Sequence, residues 1–426
     1  MNFDTKHYLD FFKTELKENL LYFWMPRCLD TEYGGYFNCF TNDGSRLVSK
    51  DKYVWSQGRF LWTFSKLATM DIFSAEQKAE FLRYARSGRD FLLKNVLIGK
   101  DDWRCVFLTE QDGTPKYVDG YRELDMSISA DCFVVAGFAM YAVAANDYES
   151  YAFAKKLGQS VWERYNSGNY RSLPYPLSPK FDSHARPMIQ TNVNCELYRA
   201  ALVFEPEYAT ELLKNIDYCH TLDFERFYDD NGLIHEFTYA DGSWAHNLFG
   251  QHINPGHTIE DMWFQYDAQS ILGTDKYWNR IQKAVKSTFN TGWDDEFGGL
   301  LHFIGVDGTM NGEDGDAADE SQLKLVKDDW GSKLWWVHSE ALYTTLLMFD
   351  KTGDTEFLDM FKKVFDYTYK TFPNPDRNIR EWIQIRTRDG KPQDKVVALP
   401  VKDPYHIMRN VILIIELLEE RIKNEQ

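Results

Sequence analysis

The sequence predicts an all-α protein in which six helical hairpins close into a toroid, an (α/α)6 barrel with short β-hairpins at one rim. Three observations support this prediction. Apolar residues recur at helical spacing along most of the 426 residues, the segments between helix pairs share one pattern, and that pattern returns at a regular interval.

The composition is that of a globular protein, with 44% hydrophobic and 27% charged residues. The net charge is −17 and no block of Lys or Arg occurs, so a nucleic-acid partner is not expected. The N-terminal helix is charged and no run approaches the length of a membrane span, so we expect neither a signal peptide nor a membrane partner, and a cytoplasmic location. Six scattered cysteines show no metal-type spacing.

Twelve helices are predicted from the apolar periodicity, and they come in pairs. No linker rich in Pro, Ser or Gly divides them, so residues 1–426 are predicted to form a single domain. The approximate ranges are 5–24, 57–71, 76–96, 127–145, 148–166, 187–203, 207–221, 257–272, 275–290, 333–351, 355–371 and 405–423.

The segments between helix pairs carry Asp or Asn turn residues, often Gly, and then an alternating aromatic-rich run, as in DTEYGGYFNCF (30–40) and DDEFGGLLHFIGVDGT (294–309). Their period of roughly 60 to 80 residues indicates a repeat architecture. Closure is favoured over an open solenoid because the terminal helices are not notably polar. In a closed toroid the inner helices surround a central pocket, where we expect the chemistry. These segments start near residues 30, 101, 167, 229, 294 and 375.

Two histidines follow a proline at predicted helix starts. In NPGHTIEDMWF (254–264), His257 follows Pro-Gly, and Glu260 lies three residues later on the same helix face. In VKDPYHIMRNVI (401–412), His406 is delivered in the same way. A helix N-terminus disfavours the imidazolium, so both rings are expected to lean towards the neutral form and to suit proton transfer on two faces of one carbon. Packing is the alternative for each histidine taken alone.

A third segment, KLWWVHSEALYTTLLMF (333–349), is dense in residue types that bind sugars. Trp335 and Trp336 offer aromatic faces, and His338 and Glu340 offer polar groups for hydroxyls. The alternative for one of the two tryptophans is a place in the core.

Arg59 stands near the start of an inner helix in KDKYVWSQGRFLWTFSKL (50–67), where its fork of donors can hold a carbonyl or ring oxygen; a structural salt bridge is the alternative. No phosphate-binding loop, dinucleotide fingerprint or H-E-x-x-H motif occurs. Acyl-transfer and redox chemistry therefore lack their usual parts. The remaining hypothesis is an acid–base reaction without metal or cofactor.

The stretches KYVWSQGRFLW, NPGHTIEDMWF, GWDDEFGGLLHF, KLWWVHSEA and PYHIMRN, in this order over residues 52–410, resemble the N-acylglucosamine 2-epimerase family. That family includes cellobiose 2-epimerases and related aldose–ketose isomerases. The resemblance implies an (α/α)6 barrel and an isomerase that epimerises a free sugar at C2 through an enediolate-like intermediate. His257 and His406 would transfer the protons, Arg59 would stabilise the negative oxygen, and Glu260 would orient His257 or a hydroxyl.

The resemblance also implies a substrate pocket and favours one substrate. The disaccharide epimerases carry Asn-x-x-x-His on an inner helix, whereas QTNVNCELY (190–198) has Asn192 followed by Glu196. This departure favours N-acetylglucosamine and N-acetylmannosamine. A 2-epimerase or aldose–ketose isomerase of unmodified sugars such as mannose, glucose or cellobiose is the alternative. The expected substrate-binding residues are Tyr53, Asn192, Trp335, Trp336, His338 and Glu340.

The resemblance further implies no metal and no cofactor, with ATP acting only as an allosteric effector, and a homodimer. Two other classes stay open at this point. A glycoside hydrolase or lyase on the same barrel would use a carboxylic acid pair such as Glu260 and Glu340. A non-catalytic protein-binding role would not need the two histidines.

Overall fold

Helices account for most of the computed structural model, which describes residues 3–397 and 399–425. All twelve predicted ranges are helical, with boundaries shifted by a few residues; a π-helical segment, Glu15–Leu20, joins the first two helices. The helix Ser321–Asp329 was not predicted because its nine mostly polar residues carry little periodicity. The helices are α1 (Thr5–Thr14), α2 (Leu21–Cys28), α3 (Val54–Thr69), α4 (Ala75–Asn95), α5 (Ile128–Ala145), α6 (Tyr148–Ser167), α7 (Ala185–Phe204), α8 (Pro206–Leu222), α9 (Pro255–Leu272), α10 (Trp278–Gly292), α11 (Ser321–Asp329), α12 (Trp335–Thr352), α13 (Thr355–Thr371) and α14 (Tyr405–Glu425).

Six helices form a closed inner ring, in the order α3, α5, α7, α9, α12 and α14, and α14 contacts α3 again. Outer helices α4, α6, α8, α10 and α13 pack on the inner helices that precede them, and α1 packs on α14. The contact between α14 and α3 confirms the predicted (α/α)6 barrel over an open solenoid. Because each outer helix returns the chain, the inner helices all start at one rim.

Short two-stranded ladders fasten that rim. The pairs β1·β4, β5·β6, β7·β8 and β9·β10 each join the segment before an inner helix to a segment of the following repeat, and only β2·β3 is a local hairpin. The predicted hairpin turns are present as single bridges, such as Trp293↔Leu300, while the regular pairing runs between repeats. The strands are β1 (Lys52–Tyr53), β2 (Leu97–Gly99), β3 (Asp102–Cys105), β4 (Leu108–Thr109), β5 (Phe181–Ser183), β6 (Phe237–Tyr239), β7 (His252–Ile253), β8 (Ile304–Gly305), β9 (Lys333–Leu334) and β10 (Ile385–Arg386).

Two buried lysines explain why DTEYGG and DDEFGG look alike. Lys52 Nζ lies 2.7 Å from Asp30 and 2.6 Å from the Gly34 carbonyl. Lys333 Nζ lies 3.0 Å from Asp294 and donates to the carbonyl of Gly299, the second glycine of DDEFGG. Each lysine is the first residue of the two-residue strand that leads into an inner helix, so the ion pair ties the turn to the start of that helix.

Helix α5 corrects one expectation from the sequence. Its 18 residues reach a mean hydropathy of 1.8, so by length and composition it meets the criterion for a membrane span. The helix lies in the inner ring between α3 and α7, and 67% of it is buried there. A helix packed on both flanks is apolar all round for this reason.

Candidate active site

Pro255 and Gly256 are the first two residues of α9, and Gly256 sets the start of this helix against an indole. The Asn254 side chain caps the helix by accepting from the backbone N–H of His257 at 3.2 Å, and Pro255 fills the first helical position. A Cβ added to Gly256 would lie 2.4 Å from the ring of Trp336, so only glycine permits this approach. The His257 and Trp336 rings consequently lie 5.3 Å apart, centroid to centroid.

His257 is held by a carboxylate from the preceding repeat. Its Nδ1 lies 3.0 Å from Glu236 Oε2, and its side chain is 33% exposed, so part of the ring is accessible from the barrel mouth. Burial opposes protonation, but the carboxylates of Glu236 and Glu260 raise the pKa of His257 above its usual value. The expectation of a neutral-leaning ring is therefore wrong for His257, because the adjacent carboxylate outweighs the helix N-terminus.

His406, the second residue of α14, has a parallel arrangement. Its Nδ1 donates to Glu340 Oε1 at 2.7 Å, and its Nε2 accepts from a guanidinium N–H of Arg59 at 3.1 Å. This pattern assigns the proton to Nδ1 and leaves the lone pair on Nε2. The Trp336 ring lies 5.7 Å from that of His406, so one indole contacts both histidines.

A buried arginine fixes the charge next to His406. Arg409, one turn further along α14, donates to Glu340 Oε1 at 2.6 Å and to Glu260. Glu340 also accepts from Trp263 Nε1 at 2.9 Å. Burial would raise the pKa of Glu340, but Arg409 and His406 lower it to about 2, so this carboxylate stays ionised.

Glu260 does not orient His257, the first of its two predicted roles, and the second, orienting a substrate hydroxyl, stays a prediction. Its carboxylate pairs with Arg409 and lies 3.7 Å from Nδ1 of His406, while Glu236 supplies the partner of His257. A buried guanidinium left without carboxylates would be costly, which explains why Glu260 turns towards Arg409. Glu260 still adds negative charge near both rings.

Arg59 on α3 is placed beside His406 by aromatic rings and one carboxylate. Its guanidinium lies 4.1 Å from the centre of the Phe133 ring and 3.4 Å from Asp403. Trp335 Nε1 donates to the same carboxylate at 3.4 Å. The structure thus brings together the predicted Arg59, Trp335 and His406, with Asp403 as an additional residue.

Asn192 lies on α7 with a buried side chain that makes no hydrogen bond to the rest of the described chain. One turn further along α7, Glu196 accepts from Trp62 Nε1 of α3 at 3.0 Å. This hydrogen bond joins α7 to α3 across the barrel interior, past α5. Asn192 shares this helix face and is free to meet a ligand. Tyr53 packs edge-on against Phe107 in the rim, where burial raises its pKa to about 12, and its contact with substrate stays a prediction.

Comparison with known proteins assigns the family. A family model described as N-acylglucosamine 2-epimerase matches residues 35–410. The chain belongs to the N-acylglucosamine 2-epimerase family. The N-acylglucosamine 2-epimerase of Bos taurus is 29% identical over 94% of this chain and 89% of its own length. A cellobiose 2-epimerase of Ruminococcus albus is 24% identical, over 92% of this chain and 95% of its own.

A solved structure of cellobiose 2-epimerase from Bacillus thermoamylovorans has the same fold as this family member. It superimposes with a TM-score of 0.76 at 21% sequence identity and covers 96% of this chain and 99% of that chain. This likeness independently supports the closed barrel described above.

In this family member, His338 is a structural residue, and its predicted place in the substrate pocket is wrong. Its Nδ1 donates to the Leu334 carbonyl at 2.7 Å and its Nε2 accepts from the Leu300 N–H at 3.0 Å. Burial lowers its pKa to about 3, so the ring is neutral. Trp336 and Glu340 are four residues apart and share a helix face, whereas His338 lies between them in sequence and points to the other side.

Three residues of the site were not predicted from the sequence: Glu236, Asp403 and Arg409. Arg409 follows His406 by three residues, and the spacing rule that selected Glu260 would have selected it too. Glu236 lies in the rim segment before α9, where its backbone N–H donates to the His252 carbonyl at 3.4 Å, and no local pattern reveals that this brings its carboxylate to His257.

Glu260, Glu340 and His406 bring three side chains that can bind a metal, two carboxylates and one imidazole, within reach of one another. Arg409 donates to both carboxylates, so a side-chain cation already lies among them. The residues fit a site whose positive charge comes from the chain itself.

Proposed function

We propose that this protein interconverts N-acetylglucosamine and N-acetylmannosamine by epimerising the free sugar at C2. Membership of the family makes it a sugar epimerase and therefore an isomerase. One observation carries the site assignment. His257 and His406 both contact Trp336, and each is held at Nδ1 by a carboxylate, which directs Nε2 of each ring away from that partner.

The arrangement suits proton transfer on two faces of one carbon. In the ring-opened aldehyde, one histidine removes the C2 proton while the C1 oxygen takes up negative charge as an enediolate-like intermediate forms. Arg59, whose guanidinium lies 3.1 Å from His406 Nε2, donates to that oxygen. The other histidine then protonates C2 on the opposite face. The two rings end with exchanged protonation states, and exchange with solvent restores them.

The N-acyl substrate is supported by the relatives and by Asn192. The Bos taurus relative at 29% identity is named for N-acylglucosamine, and the Ruminococcus albus relative at 24% for cellobiose. The Asn192 amide, which has no partner among the described side chains, can donate to or accept from an N-acyl group. Glu196, bound to Trp62, stands where the disaccharide enzymes carry histidine.

A second candidate is a 2-epimerase or aldose–ketose isomerase of unmodified sugars such as mannose, glucose or cellobiose, and the Ruminococcus albus relative favours it. The chemistry separates the two candidates. A ketose forms only if the substituent at C2 is a hydroxyl that becomes a carbonyl, so an N-acylated sugar gives an epimer and no ketose.

The proposal includes neither a metal nor a cofactor, because side chains supply every proton and charge that the reaction needs. ATP would act only as an effector. The proposed setting is a cytoplasmic homodimer, and the six cysteines, all free and buried, fit a reducing compartment. Turnover that survives EDTA, together with the mass of the assembly in solution, tests these points.

The deciding experiment is NMR of single sugars incubated with the protein in D2O. N-acetylmannosamine should give N-acetylglucosamine with deuterium at C2. Turnover of mannose or cellobiose without turnover of N-acetylmannosamine would overturn the substrate, and a ketose product would establish the isomerase alternative.

A further inference from the structure

A buried cluster of charged groups lies behind the His257–Glu236 pair. His184, directly before α7, has its Nε2 3.0 Å from Asp261 Oδ2 and 3.6 Å from Asp223 Oδ1. Its Nδ1 lies 3.7 Å from Glu236 Oε1, the second oxygen of the carboxylate that holds His257. The side chains of His184, Asp223 and Asp261 are wholly buried.

The contacts in this cluster indicate a charged ring. His184 Nδ1 and Glu236 Oε1 form no hydrogen bond to any described residue, yet they lie close enough for an ion pair. The Gln265 amide donates to both aspartates, which satisfies them on the side away from His184. Burial opposes protonation of His184, but the surrounding carboxylates raise its pKa well above the usual value.

We propose that His184 is a positioning residue, a buried imidazolium whose charge limits how tightly Glu236 holds the proton of His257. Glu236 stands between two rings, and the positive charge of His184 repels the proton of His257, which offsets part of the attraction of the carboxylate. His257 can then release its proton nearer to neutral pH, as a residue that alternates between acid and base must. Its role in the reaction rests on the proposed function, while the charge coupling does not.

Other charged or titratable groups also face this cluster, and the expected effect includes them. They lie at the start of α7, in α8 and α9 and in the rim segments, and they are Arg186, Cys219, His252, Glu260 and His302. None of their side chains forms a hydrogen bond or an ion pair with the Glu236 carboxylate in the described part of the chain, so replacing His184 changes the charge next to Glu236 directly.

The test is a histidine titration of the His184→Gln variant, which keeps a polar side chain but removes the positive charge. In protein with 13C-labelled histidine, the signal of His257 is identified by its loss in His257→Asn. Its pKa is expected to rise by about one unit in His184→Gln, since the neighbouring cation is gone. The limb of the pH–rate profile that His257 governs should move to higher pH by the same amount. An unchanged or lower pKa in the folded variant would overturn the proposal.

A charge-balanced double variant separates charge from geometry. His184→Gln/Asp261→Asn removes one positive and one negative charge, and it should return the pKa of His257 to within about 0.3 units of the wild-type value. A shift that persists in the double variant would mean that a lost contact, and not charge, causes it, and the proposal would be wrong.

The control is His338→Gln, which removes another fully buried histidine that is bound only to backbone groups. It should lower stability without moving the pKa of His257. Should His184→Gln fail to fold, the wild-type protein still decides the matter, because one ring signal must keep the imidazolium form well above the usual pKa of histidine. Absence of such a signal would overturn the proposal. The titration needs no sugar, so a failed sugar assay would refute the proposed function and leave this result readable.

Discussion

The two histidine–glutamate pairs of the barrel mouth share one geometry and differ in what lies behind them. Behind Glu340 stands Arg409, a permanent charge at 2.6 Å. Behind Glu236 stands His184, whose Nδ1 lies 3.7 Å from the carboxylate. One pair is thus backed by a hydrogen-bonded guanidinium, and the other by an imidazole ring at a greater distance. A reaction that needs one acid and one base at the same time benefits when each of these two groups has its own neighbours, which set its proton affinity separately.

The largest effect is expected when either histidine is replaced. His257→Asn and His406→Asn should each lower kcat about 10³-fold, because the epimer cannot form without proton transfer on both faces. Each variant should still exchange the C2 proton of one epimer, and the two variants should select opposite epimers. This is measured by NMR in D2O with each epimer separately. If both variants select the same epimer, the two histidines do not serve opposite faces. Cooperative unfolding should be retained, since both residues lie at helix mouths.

Replacing the partner carboxylates should separate the two pairs. Glu236→Gln is expected to lower kcat about 10²-fold, and it should move the limb of the pH–rate profile set by His257 to lower pH. The sign follows because Glu236 raises the pKa of His257 and its removal lets that pKa fall. Glu340→Gln is the matched variant and should slow the reaction without moving that limb. A downward shift in both variants would show that the pairs are coupled.

Gly256→Ala tests the indole that both pairs share. The added Cβ would lie 2.4 Å from the Trp336 ring, so the ring must move. We expect a loss of about 1–3 kcal/mol in the free energy of unfolding, and about a tenfold loss in kcat/KM. Ser270→Ala, at an exposed position of the same helix, is the control and should change neither quantity. Full activity in Gly256→Ala would mean that the position of Trp336 does not matter.

The smallest effect on activity is expected for His338→Gln, which lies outside both pairs. Rates should stay within about threefold, while stability at pH 7 falls by about 1–3 kcal/mol because two buried hydrogen bonds are lost. Since the pKa of His338 is lowered to about 3, its neutral ring contributes stability above pH 6.5 that is lost as the pH falls towards 3. Denaturant unfolding at pH 7.5 and pH 5 should therefore show a weaker pH dependence in the variant. A rate loss of 10²-fold would restore His338 to the site.

Local patterns predicted much of the site because most of its residues stand at the starts of inner helices. The Pro-His spacing identified His257 and His406, and the helix positions of Arg59, Trp336 and Glu340 placed them at the same mouth. The family resemblance supplied their expected roles, which the geometry supports without testing them.

The residues that the sequence did not reveal are those whose partners come from another repeat. Glu236 meets His257 because the rim segment folds back onto the residues before α9, and Asp403 meets Arg59 across the closure of the ring. His338 was placed wrongly because composition alone marks a segment as sugar-binding, whereas helix geometry decides which of its side chains face the pocket. The repeat itself was predictable from its period, and the closure of the ring from terminal helices that are not notably polar.

Helix α14 has a double role that matters for how the protein is made. It is the last barrel helix in chain order, it completes the ring through α3, and it carries His406 and Arg409. During synthesis on a ribosome, the other five inner helices therefore form an open ring until α14 has been made. Until then Glu260 and Glu340 lack the guanidinium of Arg409. The catalytic site and the cover over the apolar interior are then completed in the same step. The apolar interior of a nascent chain therefore stays exposed until the helix that makes it an enzyme has been added.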